Sequence, residues 1–262
     1  MDNPAEPTRP KPATAVAVDL GSGTTGVWTS HRGVVSGSSD RNLVHRGRIV
    51  DVDGCTALLK RIVQQYPQPV PAADMVVACR PVLSTDADEA LMRRVLDEVF
   101  TPRRILFVDS VRAAAIGAGA AAGSLLIADV GTQLTETALL ENGRVVEARR
   151  ADLGTRDLGS GTTVGLLGDV VARHVDQLRA ACPDADLAAA TARGLLLVGD
   201  GALHPDLPAA LAAELGMRVH VAAAPRQAAL TGAGLAVSSA LRHPALSGRV
   251  LRPYQKSVLI ED

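Results

Sequence analysis

Two short turns rich in glycine and hydroxyl residues carry the chemistry that can be read from this sequence. The first follows an apolar run and contains Asp19, Gly21, Ser22, Gly23, Thr24 and Thr25. Glycines let backbone N–H groups approach an anion closely, and hydroxyl groups add further donors. A carboxylate at the base of such a turn would repel a bare phosphate. Asp19 therefore indicates that a divalent cation such as Mg²⁺ lies between the two, held partly through water.

The same pattern returns 110 residues later, where Asp129 matches Asp19 and the turn reads DVGTQLT. Its candidate ligand-binding residues are Gly131, Thr132 and Gln133. Neither turn is a P-loop, because G-x-x-x-x-G-K-[ST] is absent. One such turn alone is equally typical of an ordinary β-hairpin. Two copies at a fixed offset predict facing turns that hold one phosphate-bearing ligand, with Asp19 and Asp129 beside the metal.

A third turn, Gly199-Asp200-Gly201, follows the apolar run 195–198 and precedes a predicted helix. The functional interpretation is a backbone cradle for the sugar or base of a nucleotide, formed by Gly199, Asp200 and Gly201. The alternative is a plain connection between a strand and a helix.

Apolar periodicity places these turns in two halves with one element order, βββαβαβα. The predicted class is α/β, with two duplicated units and a ligand cleft between them. We expect a disordered tail at 1–13, one unit at 14–122, a second at 123–242 and a tail at 243–262. Ser84 is the predicted N-cap of a helix over 86–100.

Composition excludes several other classes of protein. A net charge of −1 and 2% aromatic residues argue against nucleic-acid binding, which favours a basic face and stacking platforms. Hydrophobic residues make up 47% of the chain, yet no run reaches the roughly 20 apolar residues of a membrane span. The polar, proline-rich start does not look like a signal peptide. Three unpaired-looking cysteines are typical of buried thiols in a cytoplasmic protein.

In their order, these motifs resemble the actin-like ATPase superfamily, and most closely the bacterial actin MreB. VDLGSGTT resembles its first phosphate motif, FVDSVRAAAIGAG its first connecting motif, and IADVGTQLTE its second phosphate motif. LLLVGDGALHPDLPAAL resembles its adenosine motif. The resemblance covers about residues 15 to 236. It implies two ribonuclease H-like subdomains with ATP or ADP and Mg²⁺ between them.

Departures from the family pattern concern the positions used in hydrolysis. The second phosphate motif usually reads D-x-G-G-G-T-T, so Thr132 and Gln133 replace two glycines, and close approach of the backbone to phosphate is expected to suffer. Ser110 stands where the family carries the carboxylate or amide that orients the attacking water. A serine is a poor base, and neighbouring Asp109 would serve only after a backbone shift. Asp129 is the other candidate for a catalytic role.

These features leave several functions open. The first is an MreB-like nucleotide-binding protein with weak or lost hydrolysis that acts through protein partners in cell shape or envelope assembly. The second is a chaperone-like or reactivating factor for a metabolic enzyme, of the ethanolamine-utilisation type. The third is an active sugar or acid kinase, for which the chain lacks room for substrate-binding lobes. The fourth is a pseudo-ATPase that binds nothing. Self-assembly is compatible with the first function, although the segments that usually supply filament contacts are short.

Overall fold

The computed structural model describes residues 13–242 except 31, 40, 183 and 184, and it gives no side-chain detail for 185 and 186. The predicted tails therefore fall outside it, apart from residue 13. The strands are β1 (Ala15–Leu20), β2 (Thr25–Thr29), β3 (Gly33–Gly37), β4 (Val44–His45), β5 (Arg48–Ile49), β6 (Met75–Arg80), β7 (Ile105–Asp109), β8 (Ser124–Val130), β9 (Thr135–Glu141), β10 (Arg144–Ala151), β11 (Leu195–Val198) and β12 (Val219–Val221). The helices are α1 (Val52–Val63), α2 (Asp86–Phe100), α3 (Ser110–Gly117), α4 (Val164–Ala181), α5 (Ala185–Arg193), α6 (Leu207–Leu215) and α7 (Ala228–Arg242).

The two halves have the same sheet topology. One five-stranded sheet has the order β3-β2-β1-β6-β7, and the other has the order β10-β9-β8-β11-β12. In each sheet the first three strands pair antiparallel and the last two pair parallel. This repeated order confirms the α/β fold with two related units that the sequence predicts.

Helices α3 and α7 form a central layer between the two sheets. Alternate residues of each central strand pack on this layer, among them Ala15, Ala17, Leu125 and Ile127. The residues between them pack on the outer helices, α1 and α2 in the first half and α4, α5 and α6 in the second. Each strand therefore has one inner and one outer face, because successive side chains point to opposite sides of a sheet.

Small residues let the two central helices approach closely. A Cβ on Gly117 would overlap the carbonyl oxygen of Ala228, and a Cβ on Gly232 would overlap that of Ala113. The sequence motifs around Gly117 and Gly232 correspond to each other in the two halves, so the contact is nearly symmetric. Glycine is required at this crossing for space.

Three local features differ from the sequence-based expectations. Thr85, and not Ser84, is the N-cap of α2: its side chain accepts from the N–H of Asp88, and Asp88 accepts from the N–H of Thr85 in return. Ser84 donates its hydroxyl to the carbonyl of Pro81. The hairpin β4–β5 was not predicted, because a two-residue strand gives too few residues for a periodic pattern. The nine-residue helix α5 was not predicted either.

Candidate functional site

The alternation of inner and outer side chains brings the two predicted acids together. Asp19 lies on β1 with the parity of Ala15 and Ala17, and Asp129 lies on β8 with the parity of Leu125 and Ile127. Both carboxylates therefore project into the layer between the sheets, at the carboxyl ends of the central strands. Ligands of open α/β sheets typically bind at such strand ends.

Both acids line a single cleft of about 130 Å³ between the halves. The predicted residues that line it are Asp19, Gly21, Ser22, Gly23, Thr24, Asp129, Gly131, Thr132, Gly199 and Asp200. The starts of α3 and α7 close its floor, with Ser110 on one side and Ala229 on the other. Typical small-molecule pockets have volumes of roughly 300–1,000 Å³, so a nucleotide requires this cleft to widen.

The two turns close with the same backbone hydrogen bond despite their different sequences. The N–H of Gly21 donates to the carbonyl of Thr24 at 3.2 Å, and the N–H of Gly131 donates to that of Leu134 at 2.8 Å. The φ of Gly23 is not left-handed, so its backbone conformation does not require glycine. The requirement is for space. A Cβ on Gly23 would overlap the hydroxyl of Thr132, which means that the two turns touch across the cleft.

Two predicted ligand-binding residues, Thr25 and Gly201, lie away from the lining of the cleft. Thr25 lies on β2 with the parity of Val27, which belongs to the outer core, and Thr25 is fully buried there. Gly201 packs against Val130 beneath the second turn, where a Cβ would overlap the valine side chain. Neither is among the residues that line the cleft.

Two other predicted residues are engaged in contacts beside the cleft. Gln133 is buried, and its Oε1 accepts from the N–H of Arg46 at 3.1 Å. Asp109 accepts from Nε of Arg80 at 3.0 Å, an ion pair that holds it away from the cleft lining. Ser110, its neighbour, does line the cleft and donates its hydroxyl to the carbonyl of Arg80.

The carboxylates in the cleft repel one another and resist ionisation. Burial raises the pKa of Asp19 to about 6. Burial, followed by the charges of Asp19 and Asp200, raises the pKa of Asp129 to about 7. A divalent cation between the acids would offset both effects.

The residues present fit Mg²⁺ bound with a phosphate ligand. Mg²⁺ keeps several waters and takes one or two carboxylates together with substrate phosphates, and Asp19 and Asp129 would supply those two carboxylates. Within the described residues no group of three or more His, Cys, Asp or Glu side chains is placed to hold a metal alone. The donor set therefore favours a metal that arrives with its ligand.

Sequence reasoning missed Glu136, which lies on β9 with the parity of Ala138 and Leu140 and lines the cleft. Glu136 is 4% exposed, and its Oε1 accepts from the N–H of Val82. Burial and the nearby charge of Asp129 raise its pKa well above the usual range for glutamate. The signal that could have revealed it is an acidic residue at an inner-face position within the apolar run of β9.

Cys79 and Arg226 are two further lining residues that the motifs did not reveal. Burial, with the charges of Asp19, Asp129 and Glu136, raises the pKa of Cys79 well above its usual range, so the thiol stays protonated. Arg226 donates from Nε to the carboxylate of Asp200. Among the described residues that line the cleft, Arg226 is the only one with a cationic side chain.

Contacts from the hairpin β4–β5 join the halves at the mouth of the cleft. Arg46 forms an ion pair with Asp157 at 3.4 Å, and its carbonyl accepts from Arg150. Together with the bond from Arg46 to Gln133, these contacts hold the first half against the second turn. Widening of the cleft therefore has to break or stretch them.

The MreB/Mbl protein family is the one whose model matches this chain, over residues 41–161. That segment contains the β4–β5 hairpin, the acid Asp129 and the whole second turn. A search of curated proteins gave no match. Across the described part of the chain, no helix combines the length and apolarity needed to cross a membrane.

Solved structures similar to this chain share the fold at low sequence identity. MreB 5 of Spiroplasma citri bound to AMPPNP is 15% identical, with a TM-score of 0.71 over 88% of this chain and 97% of that one. The ethanolamine utilization protein EutJ from Carboxydothermus hydrogenoformans is 16% identical, with a TM-score of 0.64 over 86% and 90%. The MamK double helical filament is 15% identical, with a TM-score of 0.72 over 86% and 99%. At these identities the likeness establishes the fold.

Proposed function

We propose that this chain, which matches the MreB/Mbl family model over residues 41–161 and has the fold of MreB 5, binds an adenine nucleotide, ATP or ADP, with Mg²⁺ in the cleft between its halves. The observation that carries the proposal is the pair of matched turns facing each other with Asp19 and Asp129 at their bases. AMPPNP bound to a solved structure of the same fold supports the choice of ligand.

We also propose that hydrolysis is weak or lost. Ser110 lines the cleft at the start of α3, where it has no basic partner that would activate a water. Glu136 also lines the cleft, but burial and the charge of Asp129 raise its pKa and so favour the protonated form, and one oxygen accepts from the N–H of Val82. A protonated carboxyl cannot accept a proton from water.

The proposal is tested by calorimetric titration of the purified full chain with ADP and with AMPPNP, each with Mg²⁺ and with EDTA. We expect binding that needs the metal and that Asp19→Asn removes. Asp97→Asn is the matched control, because Asp97 is exposed on α2 and outside the cleft. Absence of binding to the wild type under all conditions would favour a pseudo-ATPase that holds no nucleotide.

Hydrolysis is tested separately by phosphate release from Mg-ATP. We expect a rate no higher than that of the Asp19→Asn variant. A clearly faster release by the wild type would contradict the proposal of lost hydrolysis while leaving nucleotide binding intact.

We further propose that the protein acts in the cytoplasm through protein partners in cell shape or envelope assembly, as the match to the MreB/Mbl family over residues 41–161 suggests. The test is depletion in the source cell, with cell width and envelope integrity as the readouts. Normal shape and envelope after full depletion would contradict it. Sedimentation with Mg-ATP tests self-assembly alongside.

A chaperone-like factor for one metabolic enzyme is the second candidate. The fold shared with EutJ and the small size of the inserted elements favour it, since β4–β5 has two-residue strands and α5 has nine residues. Co-purification of a single enzyme, in place of envelope proteins, would select this function over the first.

A further inference from the structure

Asp200 occupies the side of the cleft where a ligand's phosphate would meet the second turn. Its Oδ2 accepts from the hydroxyl of Thr132, and its Oδ1 accepts from Nε of Arg226. The Asp200 side chain is 19% exposed, and all three residues line the cleft. The carboxylate is thus held by one neutral donor and one cation, as a bound anion would be.

Thr132 extends this arrangement across the cleft. Its side chain lies in the space that Gly23 of the first turn leaves free, so the chain Arg226–Asp200–Thr132 reaches the opposite half. Thr132 is also a position where this sequence departs from the glycines of the phosphate motif that it resembles, and Asp200 lies between the two glycines of Gly199-Asp200-Gly201. Thr132 and Asp200 contact each other directly, and together they fill the gap between the turns.

Charge makes the arrangement unfavourable for a second anion. The carboxyl groups of Asp19, Asp129 and Asp200 line the cleft, against the single cationic side chain of Arg226 among the described lining residues. A phosphate placed against Thr132 would lie close to the Asp200 carboxylate, and like charges at short range in a partly buried site repel strongly. A metal beside Asp19 and Asp129 would offset the charges of those two acids, but the Asp200 carboxylate would still lie beside the phosphate.

We propose that Asp200 is an internal competitor for the phosphate-binding position, and that a nucleoside diphosphate or triphosphate binds only when its phosphate displaces Asp200 from Thr132 and Arg226. The Thr132 hydroxyl and the Arg226 guanidinium then bind the phosphate in place of the carboxylate. Asp200 and Arg226 are thereby specificity-determining residues of the nucleotide site proposed above, on which this inference rests.

The test is titration of the full chain with Mg-ADP, with adenosine as the probe that carries no phosphate. Asp200→Asn keeps the size of the side chain and removes its charge. We expect it to tighten Mg-ADP about tenfold or more, a change of about 1.4 kcal/mol, and to leave adenosine unchanged. Asp206→Asn is the matched control, since Asp206 is exposed in the same connection and makes no side-chain cap bond.

The Arg226→Ala variant separates two roles for the arginine. If Arg226 binds the incoming phosphate, its removal weakens Mg-ADP in the Asp200→Asn background as well as in the wild type. If it only neutralises Asp200, the double variant binds as tightly as Asp200→Asn alone, and the exchange is refuted. Circular dichroism and melting curves confirm that each variant is folded.

The outcomes keep this inference distinct from the proposed function. Wild-type binding that Asp200→Asn changes less than about twofold leaves the nucleotide site intact and overturns the competition. Binding seen only in Asp200→Asn or Asp200→Gly supports the competition and shows that Asp200 blocks the wild-type site. Equal tightening of adenosine and Mg-ADP, or no binding in any variant, overturns it.

Discussion

The two ligand-facing turns close with the same backbone hydrogen bond, but their side chains make different contacts. In each turn a glycine, Gly21 or Gly131, donates its N–H to the carbonyl of the residue three positions later. In the first turn, the absence of a side chain at Gly23 leaves room that the Thr132 side chain occupies. The second directs Thr132 to Asp200 and Gln133 to Arg46. The backbone of such a turn therefore tolerates loss of glycine, whereas the open space that a ligand needs does not survive it.

The helices that follow the strands show the opposite behaviour. Gly117 on α3 and Gly232 on α7 occupy corresponding positions. Each glycine packs against the backbone of the other helix, and neither position has room for a Cβ. Here both halves keep glycine. The comparison separates a site where the halves have diverged from a contact that binds them together.

The largest effect is expected at this helix crossing. Gly232→Ala places a Cβ against the carbonyl of Ala113, and the two helices must separate. We expect the free energy of unfolding to fall by about 3 kcal/mol or more, as for overpacking against rigid backbone. Urea unfolding with a circular dichroism readout measures it.

Gly168→Ala on α4 provides the control for this change, because nothing lies within 4 Å of a Cβ there. It should stabilise the protein by about 0.5–1 kcal/mol through helix propensity. Similar destabilisation by both variants would show that the crossing is no tighter than an ordinary helix surface.

The second prediction concerns whether the charges of Asp19 and Asp129 lower the stability of the ligand-free protein. The pKa of Asp19 is about 6 in the folded protein against 3.8 unfolded, so between those values the folded state binds more protons. Stability therefore falls as pH rises through this window. Asp19→Asn removes the effect and should stabilise the free protein by about 1–3 kcal/mol at pH 8.

Denaturant unfolding of Asp19→Asn at pH 5 and pH 8, without metal or nucleotide, checks this prediction. The gain should be smaller at pH 5 and should be absent in Asp97→Asn at both values. A gain that is independent of pH would contradict the electrostatic origin. Asp129→Asn should behave similarly, with the upper edge of the pH window raised, since the pKa of Asp129 is about 7 against 3.8 unfolded.

Much of this architecture could be predicted because duplication supplies two readings of one pattern. The offset between Asp19 and Asp129 marked both inner-face acids, and burial of β1 and β8 followed from their apolar runs. The prediction that Thr25 binds the ligand could have been corrected from the alternation of side chains along the strand alone. It has the parity of Val27 on β2, and it therefore points away from the cleft.

Contacts between distant residues could not be predicted from local patterns. Arg226 meets Asp200 and Arg46 meets Gln133 across 26 and 87 residues of sequence. Neither pair lies within a periodic segment, and both depend on how the connections fold over the sheet edges. For Glu136, the sequence was enough to predict its inner-face position on β9, but it did not indicate the hydrogen bond from Val82.

The smallest effect concerns a polar contact in the outer core of the second half. Nδ1 of His174 on α4 lies 3.1 Å from the hydroxyl of Thr137 on β9. Among the described residues of the first half no histidine is buried, and the apolar Leu59 and Ile62 lie in its equivalent outer core. Burial, followed by the charges of Arg173 and Arg149, lowers the pKa of His174 to about 4.

This buried histidine should make the second half the more acid-sensitive one. The unfolded chain takes up a proton near pH 6.5 and the folded chain only near pH 4, so the stability that neutral His174 contributes is complete above 6.5 and is lost as pH falls. His174→Leu should reduce the loss of stability between pH 7.5 and 4.5 by about 1–2 kcal/mol. Asp19 and Asp129 act in the opposite direction but are common to both proteins, so their effect cancels in the difference. His45→Gln, a change at an exposed histidine of β4, should leave the acid dependence unchanged, and an equal effect of both variants would remove the distinction between the two outer cores.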